Sequence, residues 1–376
     1  MRILLASHVP KNPDGGSSRV YHLLDEGLTA RGHEVKTLHL EDAGIPSMVG
    51  KWIHRFLLPQ AMSRRASKED PMAYDVIMSS SGMLYPLFKR LRNQEKRPLL
   101  VGHLHGSAYF DHQARLNEAL RGHMSLSRSY RHVTGWLPVE WDENGANYGD
   151  LTIVQNSRDL DFFSEKCSRP TISIPLPVHP QIMEAANSAP SPEEKDPYSI
   201  LWFGSWVERK GCHYLPRAFK MIVDRYPQAR LSIWGSGIGP DALQKQFDPS
   251  VWPRVTVNPS ISRGDQIAGY GRHSIVLFPS ISEGFGFALL EAMSMGLAAV
   301  TTQSGLGVDW LKDEQNALII PASSSYHLAE GALRLMEDNA LRIRIAKNGQ
   351  ALCRGFTTER FITSYEDVFL ANRRRV

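Results

Sequence analysis

Short β-like runs alternate with 3.6-period helical patterns along this chain, and the alternation stops once and then restarts. The runs 2–6 (RILLA), 33–40 (HEVKTLHL), 74–80, 98–106 and 151–157 are strand-then-loop units, and Val20, Leu23, Leu24 and Leu28 mark the first helix between them. Strands separated by helices imply βαβ units and parallel sheets. The stretch 179–197 is rich in Pro, Ser and charge and reads as a linker. Beyond it the pattern restarts with 198–204, a helix near 214–226, then 230–237, 254–260, 274–280, a helix from about Phe287, 297–302 and 316–321. At 376 residues the chain is too long for one ordinary core. The expected fold class is α/β, with two doubly wound Rossmann-like domains facing a cleft, a place where such sheets bind ligands. The expected divisions are 1–180, 181–355 and a C-terminal helix over 356–376, whose stripe is Phe356, Phe361, Tyr365, Val368 and Phe369.

Charge excludes some functions. A net charge of +4, from 43 basic and 39 acidic residues, does not mark a nucleic-acid binder, and neither zinc-finger spacing nor an arginine-rich arm is present. Cys167, Cys212 and Cys353 are too scattered for a metal motif, and their odd number suits a reducing compartment. The N-terminal apolar run is too short for a signal peptide, and no run is long enough to span a bilayer. A cytoplasmic protein is expected. Two basic, apolar-studded stretches, 51–68 and 88–97, also suit an anionic membrane surface, which would make the chain peripheral on the inner face.

The chemistry concentrates in 277–296, LFPSISEGFGFALLEAMSMG, which holds Glu283 and Glu291 eight residues apart. SIVLF reads as a strand, PSISEGFG as its C-terminal loop, and FALLEAMSMG as the next helix, with Leu289, Leu290, Ala292 and Met293 on the core side. The N–H groups of Gly284, Phe285, Gly286 and Phe287 then lie at a helix N-terminus, where a phosphate or a sugar hydroxyl can be held. A ligand rich in hydroxyls with an anionic part would use both the carboxylates and the amides.

EGFGFALLE resembles the E-x7-E motif of the retaining glycosyltransferases of the GT-B superfamily usually called family 4 (glycosyl transferases group 1). FGSWVERKG, IWGSGIGP, the stretch from NPSISRGD into the motif, and NALIIPASSS are similar to family landmarks in the same order, as are DGGSSRV and LHGS more weakly. The resemblance implies a glycosyltransferase with a nucleotide-sugar donor carrying UDP or GDP, with no cofactor and no metal. It implies that Glu291 holds the ribose, that Glu283 with the amides of Phe285, Gly286 and Phe287 holds the sugar, and that Lys210 neutralises the diphosphate. Gly15 and Gly16 would approach phosphate or acceptor, and His105 would reach the donor sugar, with His103 competing for that role. Ser205, Arg209, Ile261 and Gly284 complete the expected donor set. The C-terminal helix is similar to the family's crossover helix, which returns to the N-terminal domain.

This chain departs from the family pattern at Ser205, where an arginine is usual, leaving Arg209 or Arg263 to supply the cation. A nucleotide-sugar-binding protein that has lost transfer is therefore an alternative. An NAD-dependent dehydrogenase is a further one, opposed by GSGIG (235–239), which lacks the third glycine of the dinucleotide spacing. Asp159 and Asp161 resemble a metal-binding D-x-D but are read as acids at a helix N-terminus. The acceptor is expected to be a hydroxylated molecule such as a saccharide, a lipid-linked saccharide or a small molecule.

Overall fold

Arg2–Ala6 forms β1, and its four residues from Ile3 to Ala6 are completely buried because parallel strands are covered on both faces. With β2 (Glu34–Leu38), β3 (Val76–Ser80), β4 (Leu99–His103), β5 (Leu151–Val154) and β6 (Thr171–Ser173) it makes an all-parallel sheet in the order β2-β1-β3-β4-β5-β6. A computed structural model describes residues 1–12, 15–45 and 51–373. The connecting helices are α1 (Gly16–Ala30), α2 (Lys51–Ser67), α3 (Tyr85–Leu91), α4 (Ala108–Leu120), α5 (Leu137–Tyr148) and α6 (Ser157–Lys166). Leu4, Ile77, Leu100, Phe88 and Met62 form part of one core on this sheet.

The second sheet contains β7 (Ser199–Phe203), β8 (Arg230–Trp234), β9 (Val255–Asn258), β10 (Ile275–Phe278), β11 (Ala298–Thr301) and β12 (Leu318–Ile319), in the order β12-β11-β10-β7-β8-β9. It too is parallel throughout. Its helices are α7 (Pro180–Ala185), α8 (Leu215–Arg225), α9 (Pro240–Gln244), α10 (Arg263–Tyr270), α11 (Phe287–Ser294), α12 (Leu306–Asp309), α13 (Ser325–Glu337) and α14 (Asn339–Cys353). Trp202, Phe219, Leu231, Ile275 and Leu335 are buried together.

The chain divides into one unit of Met1–Leu116, Ser125–Leu176 and the segment from Thr358, and a second of Asn117–Met124 and Pro177–Thr357. The Pro-rich stretch expected as a linker belongs to the second unit. Ile182 is fully buried there, and Lys195, 5% exposed, donates to the carbonyls of Tyr270 (3.2 Å) and Met295 (2.6 Å). Glu118 also lies in the second unit, where its carboxylate accepts from the Tyr214 hydroxyl at 2.7 and 2.8 Å and from Ser323 Oγ at 3.0 Å.

The last helix, α15 (Thr358–Arg373), lies in the first unit, and Phe361, Tyr365 and Phe369 are buried. Phe356, expected in the same stripe, instead packs against Phe285 and Trp310 of the second unit. Arg31 pairs with Glu359 and Glu366 of α15, and His33 Nε2 lies 2.7 Å from Glu366 Oε1.

The basic stretches divide. On α2, Phe56 (44% exposed) and Leu57 (46%) face outward, while the side chains of residues 51–55 lie outside the described set. In 88–97, by contrast, Phe88 and Leu91 are buried, and Arg97 is bidentate to Asp150 at 2.6 and 2.8 Å, which removes much of the expected amphipathic surface.

Candidate active site

In an open parallel sheet, ligand sites form beyond the carboxyl ends of the strands where the strand order turns back on itself. In the second sheet that point lies between β7, which leads on to β8, and its neighbour β10, which leads on to β11. The two loops that leave it are tied together. The amides of Ile281 and Ser282 both donate to the Arg209 carbonyl, at 2.7 and 3.3 Å. Gly211 has φ of +68°, and a Cβ there would sit 2.1 Å from the Pro279 carbonyl oxygen, so only glycine allows this approach.

Lys210 from the β7 loop and Glu283 from the β10 loop form an ion pair across the switch point, and Arg209 Nη1 lies 3.6 Å from the other oxygen of Glu283. Lys210 and Glu283 side chains are only 13% and 11% exposed. Burial pushes the Glu283 carboxyl up, but the charges of Lys210 and Arg209 outweigh it and hold the group below its ordinary range. The Lys210 ammonium also lies 5.1 Å from the centre of the Phe278 ring. The structure therefore brings three of the expected residues together as a polar cluster carrying net positive charge.

Gly286, with φ of +100°, is the N-cap of α11, and Phe287 is its first residue. Leu289, Leu290, Ala292 and Met293 are buried, as the pattern requires. Glu291 is buried as well, at 1% exposure, beneath side chains from α10. Gln266 Nε2 donates to its Oε2 at 2.7 Å, and Arg263 Nη1 stands 3.6 Å from its Oε1. Gln266 was not foreseen. It also receives a 2.6 Å bond from Arg263, so the chain Arg263–Gln266–Glu291 orients the carboxylate. Ser262 caps α10 by accepting from the Asp265 amide, and Ile261 precedes it in the loop after β9, partly buried. Beside Arg263 a cavity of about 510 Å³ is lined by Gln181, Glu184, Gly264 and Ile267. Ser205 is exposed, next to Trp206, whose indole N–H donates to Gln246 at 3.1 Å.

The first sheet turns back between β1 and β3. There His8, just after β1, is hydrogen-bonded to Ser80 at the end of β3. His103 and His105 follow on β4 and its loop. His103 is fully buried and saturated: Nδ1 is 3.1 Å from Tyr21 Oη, and Nε2 is 2.8 Å from Tyr365 Oη and 3.2 Å from Gln155 Nε2. His105, ring to ring 4.5 Å from it, is partly exposed, and its Nε2 has no hydrogen-bond partner among the described residues. Of the two, His105 is the one left for other work. Burial lowers His103 to about 3 and His8 to about 4, and His105 falls well below the usual histidine range. Gly15 and Gly16 open α1, with Gly15 as its N-cap; Asp14 of the same motif lies outside the described residues. Among the described residues no group of three His, Cys, Asp or Glu side chains is placed to hold a metal ion, and no helix is long and apolar enough to cross a membrane.

Two doubly wound units with paired charges at a switch point define an α/β protein of the GT-B class. Residues 183–352, most of the second unit, match the family model of the glycosyl transferases group 1. The capsular polysaccharide biosynthesis glycosyltransferase CapM of Staphylococcus aureus is 28% identical over 159 residues, 41% of this chain and 41% of that protein. The matched part is thus about two fifths of that relative's length. The fold of sucrose-phosphate synthase from Thermosynechococcus elongatus superposes with a TM-score of 0.76 at 18% identity, covering 99% of this chain and 100% of the other. Anabaena HepE in complex with UDP-glucose gives 0.67 at 17%, covering 99% and 100%.

Proposed function

We propose that the protein is a retaining glycosyltransferase that moves a sugar from a nucleotide-sugar donor to a hydroxylated acceptor. The observation that carries this reading is the Lys210–Glu283 pair at the switch point, one loop ahead of a helix bearing buried Glu291. Leaving-group departure puts charge on the diphosphate. Lys210 and Arg209, already fixed in place, would stabilise that charge without reorganisation. A diphosphate arriving there would share these cations with Glu283, whose remaining lone pairs would accept sugar hydroxyls. Arg209 then takes the part of the family arginine that Ser205 replaces. Glu291, aligned by Gln266, would accept the ribose hydroxyls.

With two cations at the phosphate position, transfer needs no divalent ion. Glu283 is engaged by both cations and is a poor nucleophile, so the acceptor attacks from the face the diphosphate leaves, with retention of configuration. A saccharide or lipid-linked saccharide of the cell envelope is the acceptor class we favour, in keeping with the CapM relative. Exposed Phe56 and Leu57 support contact with an anionic membrane surface. The test is a panel of UDP and GDP sugars followed for hydrolysis and transfer, with product anomers read by NMR and activity measured in excess EDTA. Retained configuration and undiminished activity in EDTA are expected. Inversion, or loss on chelation restored by a divalent ion, contradicts the mechanism.

A further inference from the structure

The loop that carries His105 ends in a buried acidic knot that the donor chemistry does not use. β4 stops at His103, and α4 starts at Ala108. The amide of Ala108 donates to Asp142 Oδ2 at 3.0 Å, and Asp159 stands close enough to act on Asp142 through its charge. These two carboxylates come from different helices, α5 and α6, and are only 3% and 1% exposed. The Ala108 peptide N–H, three residues after His105, is thus held by a remote carboxyl with a second acid beside it.

Ordinary helix capping does not call for this arrangement. Ser107 already supplies a local cap, its Oγ accepting from the Tyr109 amide at 3.2 Å. Desolvating a carboxylate is costly, and Asp142 has no ion-pair partner among the described residues. The groups bearing on it are acidic: Asp159 of α6, Asp111 of α4 and Glu143 of α5, with Arg158 acting on Asp159 alone. Oδ1 of each aspartate is buried without a hydrogen-bond partner among the described residues. The seat of Asp142 is rigid. Gly82, after β3, lies against the carbonyl of Trp141, where a Cβ would come to 1.8 Å.

We propose that Asp142, with Asp159, is a positioning residue that fixes the loop bearing His105 in the geometry needed for transfer. This rests on the glycosyltransferase reading for its kinetic consequence, but the loop geometry can be read without it. Burial raises Asp142 to about 8 and Asp159 to about 6, so Asp142 keeps its proton at neutral pH. Ionising Asp142 sets two buried negative charges side by side and loosens the knot.

The test uses Asp142→Ala and Asp142→Asn, the second of which retains an acceptor oxygen for the Ala108 amide. In Asp142→Ala, kcat falls about 10- to 100-fold while nucleotide diphosphate affinity stays within about twofold of the parent. Asp142→Asn recovers most of kcat and loses the alkaline fall near pH 8. An unchanged kcat in Asp142→Ala, or affinity falling in parallel with kcat, overturns the proposal. If Asp142→Ala does not fold, an alkaline limb in Asp142→Asn identical to the parent's overturns it. The imidazole signals of histidine-labelled protein provide a second readout: the His105 resonance moves in Asp142→Ala by more than that of His103, and stays near its parent position in Asp142→Asn. If the parent turns over no nucleotide sugar but His105 still moves, the transferase reading fails and the positioning role stands. An unmoved His105 signal in Asp142→Ala refutes the positioning role in either case.

Discussion

Lys210 and Glu283 are 73 residues apart in sequence and meet as an ion pair because β7 and β10 are neighbours at the point where the second sheet turns back. Replacing Lys210 by Ala leaves the nearly buried Glu283 with Arg209 alone, 3.6 Å away. We expect kcat to fall about 100- to 1,000-fold, the cost of deleting one fixed electrostatic contact to a developing charge. Stability falls by about 1–3 kcal/mol at pH 7, less than for a fully buried pair because Arg209 remains. Glu283 is held below its ordinary range, so its contribution is present above about pH 4.5 and is lost as pH falls through its folded value. Urea midpoints at pH 7 and pH 3 should therefore separate the variant from the parent more at the higher pH than at the lower one. Equal separation at both contradicts the pairing.

Gly211→Ala is expected to act on the same pair from the backbone. The added methyl would meet the Pro279 carbonyl and impose a left-handed conformation that costs about 1–2 kcal/mol for a side-chain-bearing residue. The β7 loop must then move off the β10 loop and take Lys210 with it. A kcat loss of about tenfold or more with a lowered Tm is the expected outcome. Parent-like kinetics and melting would show that the two loops are not clamped there.

The histidine cluster of the first unit predicts acid sensitivity. His8, His103 and His105 are held neutral by burial, with neighbouring histidines lowering His103 and His105 further. Their folded values lie below that of an unfolded histidine, so the unfolded chain binds more protons below pH 6.5. Stability then falls as pH drops from about 6.5 to 4, by up to about 1.4 kcal/mol per pH unit for each histidine. Denaturant titrations across this range on the parent and on His103→Gln check it. The variant should lose about one histidine's share of the slope, and an unaltered slope contradicts the assignment.

Much of the fold was legible because a strand buried on both faces is written as a continuous apolar run: RILLA and SIVLF coincide with β1 and β10 to within a residue. β6 escaped notice since Thr171–Ser173 is a three-residue edge strand beside prolines. The stretch 179–197 looked like a linker by composition, yet one buried isoleucine and one lysine bonded to two helix-end carbonyls hold it in the second unit. Glu283 and Glu291 could be found from spacing. Gln266 could not, because its contact with Glu291 crosses 25 residues and has no local signature. Asp142 was hidden for the same reason: it meets Ala108 only through the packing of α5 on the β4 loop.

The central claim, that the second unit binds a nucleotide diphosphate at the Lys210–Glu283 switch point and Glu291, is tested most directly by calorimetry with UDP and GDP on the parent and on Glu291→Ala. The account predicts that at least one of them binds the parent. Affinity should fall about ten- to a hundredfold in the variant, as expected when a charge-assisted bond worth about 1.5–3 kcal/mol is removed. Failure of both to bind the folded parent, or equal affinity in parent and variant, would contradict it.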